Sequence, residues 1–233
     1  MPTELLYLRA ASLRAFDATV VEADETGVVL DRTAFYVTGA ASPTTPVSSD
    51  GMVARRGWSG RRGLALPGGR RTAAGALVHG EIDSERRHAL MRIHTALHVL
   101  CGVIWNTWGK AVTGGDMQPL SARMDFEFDP LPPNFGAEVE ELVNAELAAA
   151  RPVEVSFLPL GEALRDADLI RTKVNMIPES VTQIRVVDIV GLDKQADGGT
   201  HVARTDEVGR IRVLKTESKG KGNKRIRIEV VDA

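Results

Sequence analysis

The segment from Ser84 to Cys101 constrains this chain more than any other, because it sets His94 and His98 four residues apart inside an uninterrupted helical pattern. Leu90, Ile93, Leu97, Cys101, Ile104 and Trp105 recur at helical spacing, Ser84 is available to cap the start, and no glycine or proline intervenes before Gly102. Residues four apart on a helix share a face, with Cβ atoms roughly 5–6 Å apart, so both imidazoles can converge on one ion. The same pair would serve equally well as core histidines satisfied by hydrogen bonds. A second cluster has to decide.

Such a helix needs a core to lie in. With 233 residues, 43% of them hydrophobic, and a formal charge of −2, the chain can bury one, and its patterning divides into two small domains, residues 1–84 and 85–233. The start, Met1-Pro-Thr-Glu, lacks the basic and apolar run of a signal peptide. No apolar stretch approaches the roughly 18 residues that span a bilayer, so no membrane partner and a cytoplasmic location are expected. One cysteine, Cys101, excludes an internal disulfide and suits a reducing compartment. Seven residues after His94, it lies about 10 Å further along the helix axis, too far to join both histidines on one ion.

Charge is unevenly spread. Acids gather between Asp125 and Asp168, whereas Arg55, Arg56, Arg61, Arg62, Arg70 and Arg71 occupy a span without an acid between Asp50 and Glu81. A second basic cluster lies near the C-terminus. Such clusters suit an RNA ligand, and are also common as solvated faces.

From Glu4 to about Asp83 the signals are short and β-like: Ala18–Glu22, Gly27–Asp31, Thr33–Val37, Gly63–Leu66 and Ala76–Ile82, with Gly, Pro and Asp between them, the pattern of a small barrel or sandwich. His79 falls in the last of these with no evident partner. Gly39–Gly51 is a polar, Pro-bearing loop. After the histidine helix come a Gly114-Gly115 turn, a strand at Ala122–Phe128, a helix after Pro132-Pro133 capped near Asn134, a strand at Val153–Phe157, a short helix from Gly161 to Leu169, and a strand at Thr182–Ile189. Ile211/Val213 and Ile226/Ile228/Val230 alternate on either side of Glu217–Arg225, a hairpin with a basic, glycine-rich tip. Helices on an antiparallel sheet make this half α+β.

The second cluster is Asp197-Gly-Gly-Thr-His201, after a strand and a short polar segment. Its two glycines let the backbone turn tightly, and Asp197 and His201 can face one point. His94, His98, Asp197 and His201 together offer three imidazoles and a carboxylate, a set suited to Zn²⁺.

His94-Thr-Ala-Leu-His98 paired with Gly198-Gly-Thr-His201 resembles the editing domain of alanyl-tRNA synthetase and its freestanding relatives, the AlaX alanyl-tRNA editing proteins. The resemblance extends to Leu30–Tyr36, Gly80–Asp83, Arg86-Arg87, Met91–His94, Thr113–Gly115, Arg123–Phe126, Glu207–Gly209 and Ser218–Arg225. Length and the N-terminal β segment match the medium-sized type. The resemblance implies a small N-terminal β-barrel followed by an α+β editing domain, and a zinc-dependent hydrolase that supports translation fidelity. Its substrate would be mischarged tRNA(Ala), chiefly Ser-tRNA(Ala) and also Gly-tRNA(Ala), cleaved in trans, with no obligate protein partner. Lys219, Lys221, Lys224 and Arg225 would contact the tRNA, and Thr95, Gly198, Gly199 and Thr200 would line the substrate pocket.

Two positions depart from the family. The usual cysteine four residues before the last histidine is Asp197, a harder ligand but a normal one for zinc. The glycine-rich motif after Phe35-Tyr36 is replaced by Gly39-Ala-Ala-Ser-Pro-Thr-Thr-Pro, which offers no glutamine amide to a substrate.

An aminoacyl ester is already activated, so a site need only place a water and stabilise the developing oxyanion; no residue stands out as a separate general base. Four protein ligands close a tetrahedral site, whereas a catalytic zinc keeps a position open, so either one ligand is loose or the ion expands its coordination. Serine exceeds alanine by one hydroxyl, for which Thr95 and Thr200 are candidate partners, each with an equal claim to a structural role in the helix or turn. Two other functions fit the same residues: an RNA-binding module with an impaired site, and a metal-dependent hydrolase of a small ester or amide.

Overall fold

Helix α1, Ser84–Trp108, is the longest element of the chain, seen here in a computed structural model that describes residues 3–24, 27–36, 53–54, 63–65, 73–165, 169, 182–220 and 222–232. Its cap differs from expectation. Asp83 Oδ1 accepts the Arg86 N–H at 3.0 Å, while Ser84, already helical, turns its hydroxyl back to the Ile82 carbonyl. At the other end Gly109, at φ +63°, donates to the Trp105 carbonyl and closes the helix in the left-handed conformation that glycine favours. Between them every residue from Thr95 to Ile104 is buried, so the apolar stripe read from the sequence is too narrow: Ala96, Val99, Leu100 and Val103 are core as well.

The chain separates into two compact units, Met1–His88 and Ala89–Ala233. In the first, β1 (Glu4–Leu5) pairs in parallel with β4 (Arg32–Thr33), and β2 (Ala15–Asp24), β3 (Gly27–Leu30), β5 (Val53–Ala54), β6 (Gly63–Ala65) and β7 (Leu77–Glu81) form an antiparallel sheet in the order β5-β6-β3-β2-β7. Phe16, Ala18, Val20, Val28, Leu30, Phe35 and Ile82 fill its core. Of the strand expected over Thr33–Val37, Thr33 pairs, within β4, and Ala34–Tyr36 do not; Val37 lies outside the described residues. Arg87 explains why the chain turns away there: buried, its guanidinium donates to the carbonyls of Ala34, at 2.8 Å, and Ala11, which are therefore not available to a ladder. His79 has a partner after all, Asp17 directly opposite on β2, Nδ1 to Oδ1 2.7 Å. The 39–51 loop, Leu66 and the arginines at 55, 56, 61, 62, 70 and 71 lie outside the described residues.

In the second unit, β8 (Val112–Gln118), β9 (Ser121–Phe126), β13 (Arg210–Ser218) and β14 (Lys224–Val231) form an antiparallel sheet in the order β13-β14-β9-β8, with α2 (Phe135–Ala148) against β13. The β13–β14 hairpin forms as the alternation predicts, Ser218 opposite Lys224. Gly114-Gly115 is not a turn; it lies in edge strand β8 at a register shift, a place that tolerates glycine. Asn134 precedes α2 as expected but sits at φ +56° without a side-chain cap, its carbonyl taking the Glu138 N–H instead.

A second antiparallel sheet, β10 (Val153–Pro159), β11 (Gln183–Ile189) and β12 (Asp193–Ala196), completes the unit; α3 (Leu160–Ala163) covers the start of the helix expected from Gly161 to Leu169, of which residues 166–168 lie outside the described residues. The short polar segment before Asp197 is strand β12, paired with β11 across a turn closed by Gly191 at φ +77°. Helices combined with largely antiparallel sheets define an α+β fold.

Candidate metal centre

Two elements deliver the site. One face of α1 presents His94 and His98 a turn apart, and the chain leaving β12 presents Asp197 and His201 on either side of the Gly198-Gly199 turn. The ligand atoms of all four lie within 4.8 Å of one another. His201 Nε2 stands 3.1 Å from Asp197 Oδ2, and the Nε2 atoms of His94 and His98 stand 3.6 and 4.0 Å from Asp197 Oδ1. The rings of His94 and His201 stack at 4.3 Å, and His98 meets both edge-on. Ligands of a tetrahedral zinc, bound at 2.0–2.1 Å, sit about 3.3 Å apart, so a modest contraction of this cluster would enclose a first-row divalent ion. The donor set fits one.

Position 199 must be glycine for this geometry: a Cβ there would overlap Cε1 and Nδ1 of the His94 ring. Its N–H donates to Asp197 Oδ2 at 2.6 Å, which folds the turn back on the carboxylate. Gly198 is exposed, with open space where a side chain would be.

Each imidazole is also gripped from outside. His98 Nδ1 donates to Asp193 Oδ2 at 3.1 Å, His201 Nδ1 lies 3.2 Å from the Thr95 hydroxyl, and the His94 ring stands against the Gly199 backbone. These outer partners aim the inner nitrogens at one point, the arrangement by which metal-binding histidines are usually oriented. Asp197 is held likewise, with Arg185 Nη1 donating to its carbonyl at 2.9 Å and standing 3.6 Å from Oδ2.

The charges suit cation binding. Burial pushes the His94 imidazolium pKa down despite Asp197 nearby, and burial with the adjacent His94 pushes His201 down to about 3, so both rings are neutral at pH 7. Burial acts the same way on His98, but the Asp193 bond and the charges of Asp197 and Asp193 outweigh it and raise its pKa. Burial alone would raise Asp197; His94, the His201 bond and the His98 ring hold it well below the usual carboxylate range. An ionised carboxylate thus faces two neutral imidazoles.

The other expected site residues fall in several places. Thr95 is fully buried, its hydroxyl accepting the Val202 N–H at 3.3 Å as it meets His201, and Thr200 is buried beside it. On the hairpin, Lys219 Nζ stands 3.5 Å from Glu217, and Lys224 Nζ bonds Ser218 and the Gly220 carbonyl. Arg225 is not part of the tip: it makes a two-pronged pair with Asp125 on β9, both contacts 2.7 Å. Lys221 is outside the described residues. Two neighbours of the centre escaped the sequence reading. Arg185, a charged residue in the apolar run Ile184–Val187, carried a signal of burial with a partner; Asp193, in a polar stretch, carried none.

The fold and site define an α+β protein with a buried three-histidine, one-carboxylate centre. Residues 184–227 match the family described as the threonyl and alanyl tRNA synthetase second additional domain. The chain is 33% identical to the alanyl-tRNA editing protein AlaX-M of Saccharolobus solfataricus, over 96% of this chain and 97% of that protein, and 32% identical to AlaX-M of Methanosarcina barkeri, over 99% and 100%. It is also 35% identical to an alanine–tRNA ligase of Thermofilum pendens, over 93% of this chain and 25% of the ligase. The chain belongs to the AlaX-M family of alanyl-tRNA editing proteins.

Proposed function

We propose that this protein is a trans-editing hydrolase that deacylates mischarged tRNA(Ala), chiefly Ser-tRNA(Ala) with Gly-tRNA(Ala) as a second substrate, at a zinc site held by His94, His98, Asp197 and His201. One observation carries the reading: in a member of an alanyl-tRNA editing family, three imidazoles and a carboxylate come within 4.8 Å of one another.

When bound, zinc supplies Lewis acidity at the ester carbonyl and lowers the pKa of water within its reach. The chain's own residues make that possible. Asp193 and Thr95 hold the His98 and His201 rings from behind, and the Gly199 backbone backs His94, so little reorganisation is needed at the reacting centre. Access is one-sided: the side chains of His94 and Asp197 are 15% and 20% exposed, those of His98 and His201 only 9% and 2%. The ester at the tRNA 3′ end therefore enters over Gly198, where no side chain obstructs it. Asp197, the most exposed of the four, is the ligand best placed to yield to substrate. Thr95 acts through His201, and Gly199, its N–H committed to Asp197, shapes the turn.

Lys219, Lys221 and Lys224 hold the tRNA backbone, with Arg225 setting the strand that carries them. In the same reading the N-terminal unit is a small β-barrel, supported by its five-stranded antiparallel sheet, the editing domain begins near residue 85, and the protein works in the cytoplasm. No described helix is long and apolar enough to cross a membrane.

The test is deacylation of Ser-, Gly- and Ala-tRNA(Ala) with metal content measured on the same samples. Seryl substrate should be cleaved fastest, alanyl spared, and His98→Ala should lose both zinc and activity. Tight tRNA binding by zinc-loaded protein without deacylation would make it an RNA-binding module; cleavage of small esters without regard to tRNA would make it a general hydrolase.

A further inference from the structure

We infer that Asp193 is a positioning residue for the metal centre, fixing both the tautomer and the direction of the His98 ring. The inference rests on the metal site proposed above and adds to it a residue outside the ligand set. The Asp193 side chain has no exposure, and its Oδ2 lies 3.1 Å from His98 Nδ1. An ionised carboxylate only accepts, so this bond requires the hydrogen on Nδ1 and leaves the lone pair of Nε2 facing Asp197 and the other rings. The Thr95 hydroxyl at His201 can donate or accept and imposes no such choice.

Two further features hold the carboxylate in place. Gln195, two residues along β12, donates from Nε2 to both Asp193 oxygens, at 3.1 and 2.8 Å. Gly102, one turn beyond His98 on α1, lets the β11–β12 turn seat against the helix: a Cβ there would lie 3.0 Å from Asp193 Cβ, Leu192 Cγ and the Leu192 carbonyl oxygen. A helix-interior glycine costs stability on its own, roughly 1 kcal/mol relative to alanine. At this position it is what brings the acceptor within reach of the imidazole.

The experiment compares wild type with Asp193→Ala, Asp193→Asn and Gly102→Ala by three measurements: zinc affinity in competition with a chromophoric chelator, ¹⁵N shifts of the His98 ring in metal-free protein at pH 9, and the metal-free melting temperature. Asp193→Ala should weaken zinc roughly 10–100-fold, the range for loss of an outer partner of a metal ligand, and the ring should lose its pure Nδ1–H signature. Asp193→Asn, which retains a carbonyl acceptor, should keep that signature and recover part of the affinity. Gly102→Ala removes no polar group, so a fall in zinc affinity there points to placement. Should Asp193→Ala fail to fold, the asparagine and Gly102 variants and the wild-type ring shifts decide. Unchanged affinity and ring shifts, even with a lower melting temperature, would make Asp193 a structural residue only and overturn the inference. Wild-type protein that binds no zinc but shows a pure Nδ1–H ring would instead overturn the metal reading alone.

Discussion

Gly199 and His94 fit together so closely that the backbone of one turn occupies the space a side chain would need beside the other's imidazole. Gly199→Ala should therefore push the His94 ring off the common point. Zinc affinity is expected to fall at least about 10-fold, in line with disturbance of one ligand, while the metal-free fold persists because the clash is with one side chain, the His94 ring, which is 15% exposed and can turn away. Chelator competition and circular dichroism on the same protein check this; wild-type affinity would mean that His94 is not a ligand.

Loss of a ligand should be graded by what it leaves behind. His98→Ala and His201→Ala should abolish stoichiometric zinc. Asp197→Cys, which substitutes a thiolate, should still bind zinc and retain deacylase activity. Asp197→Ala should weaken zinc and also destabilise the metal-free protein by on the order of 3 kcal/mol, because Arg185, 7% exposed, loses this carboxylate. Metal analysis and denaturant unfolding separate the two effects. Unchanged metal content in all three histidine variants, His94→Ala included, would remove the metal site altogether.

The cluster of His94, His98, Asp197 and His201 was legible in the sequence because helical period fixes the relation of His94 to His98, and the two glycines between Asp197 and His201 restrict theirs. What lay outside the reading depends on approach between distant segments. Asp193 is 95 residues from His98 and becomes its partner only because Gly102 lets a turn touch the helix. Gly102 stood inside a helical pattern that runs on to Ile104 and Trp105, with nothing in the sequence to show that a turn packs against it. Arg225 read as one more cation of a basic tip, and only the pairing of β14 with β9 reveals Asp125 opposite it. Gly114-Gly115 read as a turn because glycine pairs usually are; sheet position overruled that habit.

Acid should destabilise the metal-free protein from near neutrality. His201 binds its proton at about pH 3 in the folded state and near 6.5 when unfolded, so between those values the unfolded chain holds more protons and stability rises with pH. That contribution is complete above about 6.5 and is lost as pH falls toward 3. His94, also lowered, acts in the same sense over part of the window, and Asp197 acts similarly below its ordinary value of 3.8. His98, raised, works in the opposite sense: its contribution is present below 6.5 and lost as pH rises through its folded pKa. Urea unfolding in chelator at pH 7, 5.5 and 4 should show a falling midpoint, and His201→Gln should flatten the trend. A midpoint independent of pH would contradict the buried neutral rings.

The hairpin lysines and Arg225 should separate in experiment although they are neighbours in sequence. Lys219 and Lys224 stand at a turn whose one nearby acid on β13, Glu217, stays ionised, its carboxyl held down to about 2 chiefly by the Lys215 bond. Phosphate contacts from such lysines add affinity that falls with salt and carries little information about the esterified amino acid. Lys219, Lys221 and Lys224 changed together to alanine should weaken tRNA binding and flatten its dependence on salt, with zinc content, melting temperature and the seryl-over-alanyl preference unchanged. Arg225→Ala should do the reverse in one respect, lowering the melting temperature, because Asp125 would lose both of its 2.7 Å partners on the face of the sheet. Filter binding across a salt series and thermal melts distinguish the two roles. Unchanged affinity and slope in the triple variant would leave the hairpin a solvated turn and direct attention to the arginines between Arg55 and Arg71.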